Sequence, residues 1–373
     1  MCLISLQAIS AADISVHPGE SIQRAVDMAS NGDTIIVYDN NKSPYTYKES
    51  ITINKEIHIV ASGSVTIEAQ NPDSAVFTVT SDGSGTSIQN FRLTKSNYCI
   101  VISHADNCNI TDNIITEASL VGIQFYGNIT NTLVMGNNIT GLKPDYGNGI
   151  SFEYGSCTFN VIQGNNVDNF LNGILFNNKT EYIIAQNNTV KGYGLQGAGI
   201  YATDSSNMIQ IIDNTVTGYE DGIAVQQLGN NKASKYNINN NTVKANKNGF
   251  WILLSNSTIS YNTAIQNMVS GLDITGSHNI ISYNNATENN ICGIALGRYS
   301  LNDYNTVTNN TLTYNTGGIY CLSNSTTISN NYLNNNPQTG IYAKADNVII
   351  TGNTVLNSIT RIRVDGINGV VQD

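Results

Sequence analysis

The chain has 373 residues, 40% of them hydrophobic, which is enough apolar material for a core and excludes a disordered polymer. Charged residues make up only 12%, about half the usual share, with Asn, Thr, Ser, Gly and 20 tyrosines in their place. A net charge of −10 with 17 scattered basic residues excludes nucleic acid as a partner, because a phosphate backbone needs clustered Lys and Arg.

Residues 1–12, "MCLISLQAISAA", are apolar with small residues at Ala8, Ala11 and Ala12. They read as the remnant of a signal peptide, so the protein is expected to be secreted and to act at the cell surface. No other stretch approaches the roughly 20 apolar residues of a membrane span, and "RIRVDGINGVVQD" at the C-terminus offers no anchor. Residues 13–106 are read as an N-terminal cap and first coils. Glu20 and Ser21 precede a short amphipathic run, which predicts one helix over Ser21 to Ala29 with Ile22, Val26 and Met28 facing inward and Gly32 ending it. "DTIIVY", "ESITIN", "EIHIVA" and "SVTIEA" follow as strands. A terminal helix of this kind would cover the open end of a strand stack.

Residues 107–373 repeat. An asparagine recurs as Asn113, Asn138, Asn166, Asn188, Asn214, Asn241, Asn262, Asn285, Asn310, Asn331 and Asn353, at gaps of 21 to 28 residues. A glycine column keeps step with it through Gly122, Gly149, Gly173, Gly199, Gly222, Gly249, Gly271, Gly293, Gly318 and Gly340; Arg361 takes its place in the last repeat. Segments such as "YIIAQN" and "GIYA" alternate with period two, and no helical stripe of 3.6 residues crosses this region. The fixed leucine pattern of leucine-rich repeats is missing. Short strands that cannot bury a face alone must stack, so the expected fold is all-β: a parallel β-helix solenoid of about 11 regular coils plus the N-terminal coils. The asparagines would form an inward hydrogen-bonded ladder, and the glycines would meet either a positive φ or a close backbone approach.

The segment "SIQRAVDMASNGDTIIVYDN" to "YKESITINKEIHIVASG", followed by N-x-[TI]-[VI] coils, resembles the right-handed parallel β-helix proteins of the pectin-lyase-like superfamily, and most of all the NosD-like and adhesin-like surface proteins of methanogenic archaea. The resemblance covers nearly all of the chain after residue 13. It implies a right-handed coil and a secreted or envelope protein that contacts polysaccharide or other envelope components. The superfamily includes lyases, hydrolases, epimerases, phage spikes and non-catalytic surface proteins, so fold alone assigns no chemistry.

Catalytic signatures of its enzymes are missing. "NTV" stands where hydrolases carry N-T-D, no Asp-Asp pair or G-H-G occurs, "RIR" at Arg361–Arg363 only approaches R-I-K, and the epimerase motif D-P-H-E is absent. His17, His58, His104 and His278 stand apart, and the six cysteines show no metal spacing, so no catalytic residue, metal or cofactor is expected. Most of the cysteines read as small core residues; removal of Cys2 would leave an odd thiol for a neighbouring molecule.

If the residue after each glycine points inward, the next faces outward. That column contains Tyr201, Trp251, Asp273, Tyr320, Tyr342 and Arg363 among eleven positions, and its aromatic faces suit stacking on sugar rings. Among the N-x-[ST] sites, Asn187, Asn240 and Asn309 precede the ladder and would face outward as glycan acceptors, whereas Asn138 and Asn285 would be shielded as ladder residues. The expected function is a non-catalytic adhesin or surface-coat component. The alternatives are a polysaccharide lyase or glycoside hydrolase, which carboxylates converging with Arg or Lys in a groove would favour, and a self-assembling sheath or layer subunit joined through a free cysteine or the C-terminal coil end.

Overall fold

The computed structural model describes residues 11–177, 179–203, 206–226, 235–298 and 303–372, so the expected leader lies outside it except for its last two residues. No helix of the described residues is long and apolar enough to cross a membrane. The helix forms over Ile22–Met28, with Ser21 as its cap accepting from the Arg24 N–H at 3.2 Å. Glu49, from the coil below, accepts from the Ile22 and Gln23 N–H groups at 2.9 and 3.0 Å, so the first turn is satisfied by a carboxylate. Ile22, Ala25 and Val26 are buried, whereas Met28 is 63% exposed. The inward stripe therefore runs through Ala25 rather than Met28, as i, i+3, i+4 spacing from Ile22 requires.

Every strand pair in the three large sheets is parallel, and the sheets hold 16, 14 and 14 strands, giving about 15 coils, the expected regular coils together with those of the N-terminal segment. The first sheet runs from Asp13–Val16 to Val370–Gln372, the second from Ile51–Ile53 to Thr360–Val364, and the third from Tyr45–Lys48 to Thr354–Leu356. One coil illustrates the path: Ile184–Gln186 in the first sheet, Thr189–Lys191 in the third, Ala198–Thr203 in the second, then Gln210–Ile212 back in the first. Residues 13–106 supply strands to the same sheets as the later repeats, so the solenoid is continuous.

Inward residues stack in register. Ile200, Ile223, Phe250, Leu272, Ile294, Ile319 and Ile341 occupy one column of the second sheet, each at most 2% exposed. Burial of each such side chain contributes about 1.5–3 kcal/mol. The glycine before each lies inside the strand, and none of the ten has a positive φ. Close approach is the reason for them: a Cβ at Gly222 would sit 2.6 Å from the Gly249 carbonyl oxygen and 2.9 Å from Asn246 Nδ2.

The asparagine ladder is present and continuous from Asn113 through Asn137, Asn165, Asn188, Asn214, Asn241, Asn262, Asn284, Asn310 and Asn331 to Asn353. Each side-chain Nδ2 donates to the Oδ1 of the next coil's asparagine at 2.9–3.1 Å. In three coils the ladder residue is the first asparagine of the pair. Asn138, Asn166 and Asn285 are exposed, and Asn137, Asn165 and Asn284 are buried. The buried apolar residue of the following strand fixes this choice, because it sits two positions beyond the ladder: Ile139, Val167 and Ala286 there, Val190 and Val243 in the "NNTV" coils. The left-handed bend falls on the residue before the ladder, as at Asn187, Asp213, Asn240 and Asn309, with φ between 53° and 58°. A second ladder runs through Asn246, Asn267, Asn289, Asn315 and Asn336.

The five described cysteines, Cys99, Cys108, Cys157, Cys292 and Cys321, are unpaired and buried. Burial pushes the Cys99 and Cys157 thiols up to about 12 and those of Cys108 and Cys321 to about 11, so they behave as small core residues. Cys2 lies outside the described residues. In the last coil Ile359 is 89% exposed and Ile362 and Val364 are partly buried.

Candidate functional site

The second sheet carries the predicted column in the expected register. Tyr201 pairs with Ala224, Ala224 with Trp251, Trp251 with Asp273, Asp273 with Ala295, Ala295 with Tyr320, Tyr320 with Tyr342 and Tyr342 with Arg363. At about 4.8 Å per coil, Tyr201 and Tyr342 mark the ends of a run of roughly 29 Å. The column is not uniformly exposed. Tyr201, Trp251, Tyr320 and Tyr342 are half-buried and Arg363 is exposed, whereas Asp273 is 2% exposed, contrary to its expected solvent-facing position. Arg298, beyond the end of the strand Cys292–Leu296, folds back over Asp273 and covers it.

Three adjoining depressions follow this column. The central one, of about 460 Å³, is lined by Glu220, Asp221, Lys247, Trp251 and Arg298. Toward the N-terminal coils a smaller hollow of about 120 Å³ shares Glu220, Asp221 and Trp251 with it and adds Tyr201. Toward the C-terminal coils a third, of about 280 Å³, shares Arg298 and adds Tyr320 and Tyr342. Arg298 thus fills the gap between Trp251 and Tyr320, where the column itself offers only Asp273 and Ala295.

The centre is a charge cluster. Arg298 Nη1 lies 3.4 Å from Asp273 Oδ2, and its Nη2 donates to Ser270 Oγ at 3.3 Å and approaches Cys292 Sγ at 3.4 Å. Asp273 Oδ1 is buried with no hydrogen-bond partner. Burial pushes the Asp273 carboxyl up to about 6, overcoming the opposing pull of Arg298, with Asp221 adding to the rise. Asp221 accepts from Asn248 Nδ2 at 2.8 Å and is likewise pushed up to about 6, first by burial and then by Glu220, against Asn248 and Lys247. On the rim, Lys247 Nζ pairs with Glu220 Oε1 at 2.6 Å.

At the far end the Tyr320 and Tyr342 rings lie 5.4 Å apart, and the Arg363 guanidinium sits 5.0 Å over Tyr342. Asp365 takes hydrogen bonds from Arg363 Nε at 2.9 Å and from the Tyr342 hydroxyl at 2.7 Å; both hold its carboxyl below the ordinary range, Arg363 more strongly. The Tyr201 hydroxyl donates to Gln226 Oε1 at 2.7 Å. The sequence column identified the aromatic platforms and Asp273 but missed Asp221, Glu220, Lys247 and Arg298. Asp221 stands immediately before Gly222, in a column with Ala198 and Asn248 on the other side of the glycine from the predicted one, and Arg298 stands outside the strands altogether.

Asn187 and Asn240 are exposed and Asn309 half-buried at bends between the first and third sheets, away from the groove. Asn240 Nδ2 donates to Asp213 Oδ1 at 2.6 Å. The four histidines do not converge: His17 stacks on Tyr38, His58 bonds Ser87, His104 packs against Tyr126 and His278 stacks on Tyr304.

A family model described as periplasmic copper-binding protein (NosD) matches residues 198–363, and one described as right handed beta helix region matches residues 74–235. Among curated proteins no sequence matches the chain. Solved structures share its fold. The A-module of the mannuronan C-5 epimerase from Azotobacter vinelandii aligns with TM-score 0.54 at 13% identity, over 97% of this chain and 100% of that one. The tailspike receptor binding domain of Siphovirus 9NA gives TM-score 0.53 at 13% identity, over 95% and 76%. Tailspike protein 3 of bacteriophage CBA120 gives TM-score 0.50 at 11% identity, over 93% of this chain but only 58% of that one. The chain folds as a right-handed parallel β-helix. The described residues do not fit a copper centre: no group of three or more His, Cys, Asp or Glu side chains among them is placed to hold a metal ion, and burial keeps the Cys99 and Cys157 thiols protonated.

Proposed function

We propose that the protein is an extracytoplasmic, non-catalytic surface protein that binds a polysaccharide chain lengthwise along its second sheet. The observation that carries this reading is the groove itself, which Tyr201 and Trp251 line on one side of a polar centre and Tyr320 and Tyr342 on the other. Sugar rings offer C–H faces to such platforms and hydroxyls to Asp221, Asn248 and Arg298 between them. The match to a family described as periplasmic supports the location.

Affinity electrophoresis through gels containing a panel of polysaccharides tests the proposal. At least one should retard the protein, and Trp251→Ala or Tyr342→Ala should each weaken that binding about 3- to 10-fold, the worth of one ring contact. No retardation by any polysaccharide, or unchanged retardation of both variants, would sink it. Cleavage of the bound chain is the second reading, favoured by Asp221 and Asp273 standing beside Arg298 with carboxyls that titrate near neutrality. New reducing or unsaturated chain ends during incubation, absent with Asp221→Asn, would replace the first reading with the second.

A glycan on this protein would sit at the bends. Asn187, Asn240 and Asn309 are joined there by Asn138 and Asn285, which the register of the ladder leaves exposed. Peptide mapping of native material should find modification at these positions.

A further inference from the structure

We infer that the groove selects uncharged polysaccharides and turns away polyuronates, with Asp221 and Asp273 as the residues that set this preference. This rests on the polysaccharide-binding reading above and adds a substrate class to it.

Among the described residues, both cations that line the centre of the groove are already matched by a carboxylate: Lys247 by Glu220 at 2.6 Å and Arg298 by Asp273 at 3.4 Å. Asp221 is the carboxylate left over. It accepts a hydrogen bond from the neutral Asn248 amide and makes no ion pair within the described residues. Three carboxylates, Glu220, Asp221 and Asp273, against two cations, Lys247 and Arg298, leave the described residues of the groove's centre with one net negative charge at neutral pH. A uronate placed at Trp251 would have to draw Arg298 away from a buried carboxylate whose Oδ1 has no hydrogen-bond donor, or else lie uncompensated beside Asp221. Both are costs that a neutral sugar escapes, and an unpaired charge of this kind is how a site rejects a near relative of its ligand. A neutral sugar hydroxyl donates to Asp221 and accepts from Arg298, so it can use both groups as they stand.

The preference depends on ionisation. The ionisable groups packed around Asp273 are Arg298 above it, Cys292 in the next strand and Asp221 across the groove. Around Asp221 they are Glu220, Lys247 and Tyr201, while Tyr320 and Tyr342 border Arg298 from the other side. The two carboxyls titrate near 6, so acidification to about pH 5 protonates both and changes the local charge from −1 to +1. Exposed uronate carboxyls, which titrate near about 4, remain ionised there.

The experiment measures binding of the full chain to a neutral β-glucan, a neutral mannan and polygalacturonate, by calorimetry at about pH 7.5 and about pH 5 in physiological salt. At the higher pH at least one neutral chain should bind about tenfold or more tightly than polygalacturonate. The ratio should narrow at the lower pH, and Asp221→Asn should narrow it at the higher pH by tightening polygalacturonate binding about threefold or more. Circular dichroism confirms that the variant is folded. Polygalacturonate binding as tightly as every neutral chain at about pH 7.5 would overturn the preference while leaving polysaccharide binding intact. A ratio unchanged in Asp221→Asn would remove the role of that residue and with it the proposal. Absence of binding to every chain at both pH values overturns the underlying reading and this one together.

Discussion

The Asn241 side chain makes five hydrogen bonds inside the solenoid. Its Nδ2 donates to the Ile211 and Asn239 carbonyls at 2.7 and 3.0 Å and to Asn262 Oδ1 at 3.0 Å, and its Oδ1 accepts from the Asn214 N–H and Nδ2, both at 3.0 Å. Replacement by leucine strands the partners in a dry interior, so Asn241→Leu is expected to cost about 3–5 kcal/mol, read as a lower urea midpoint. The neighbouring Asn240, exposed at the bend, should tolerate Asn240→Gly within about 0.5 kcal/mol. Asp221 acts in the opposite sense. Its folded-state value of about 6 lies above the ordinary 3.8, so its stabilising contribution is complete below 3.8 and is lost as pH rises through about 6. Asp221→Asn, which keeps an oxygen for Asn248, should therefore gain about 1–3 kcal/mol near pH 7.5 and nothing in strong acid, measured as a pH-dependent difference in Tm. The asparagine column was readable in the sequence because it is the repeat. Its register slipped by one residue at Asn138, Asn166 and Asn285 because two adjacent asparagines look alike until the inward residue two positions beyond the ladder is used to choose.

Within an element, the glycines of the second sheet are required by the strand of the next coil. Gly222→Ala would press a methyl group against the Gly249 carbonyl and Asn246, both held by the ladder and the sheet, and is expected to cost about 1–3 kcal/mol. Gly194→Ala meets only Gln196 Cγ at 3.9 Å and serves as the near-neutral control in the same thermal melt. Strand alternation gave the inward column and, one residue on, the aromatic platforms, since period two leaves no freedom once one position is assigned. It could not place Arg298 over Asp273. That contact depends on how far a long side chain reaches from the end of one strand to the middle of the previous coil's strand, a distance that no periodicity encodes. Asp221 escaped for a different reason: it stands before the glycine, in register with Ala198 and Asn248, whereas the outward column is counted only beyond the glycine. The catalytic motifs of the superfamily's enzymes are missing along the chain, yet a carboxylate–arginine cluster assembles between coils.

Across the whole molecule, each coil touches little beyond its two neighbours, so stability is close to a sum of coil and interface terms. Backbone amides in the central coils should exchange hydrogen most slowly, and those of Thr360–Val364 and Val370–Gln372, where Ile359 and Val371 are exposed, fastest; hydrogen exchange read by mass spectrometry would show the gradient. Uniform protection from end to end would instead mean a single cooperative unit. Because each of these asparagines donates to the Oδ1 of the next rung and accepts from the Nδ2 of the one before, the two faces of a rung are complementary and the rungs themselves interchangeable. Excising the span from 242 to 262 would bring Asn241 Nδ2 to the Oδ1 of Asn284, the same bond it now makes to Asn262. The ladder is thus a splice standard. Lineages can lengthen or shorten such a molecule by whole coils through unequal recombination, and retune the length of its groove without reinventing the interior.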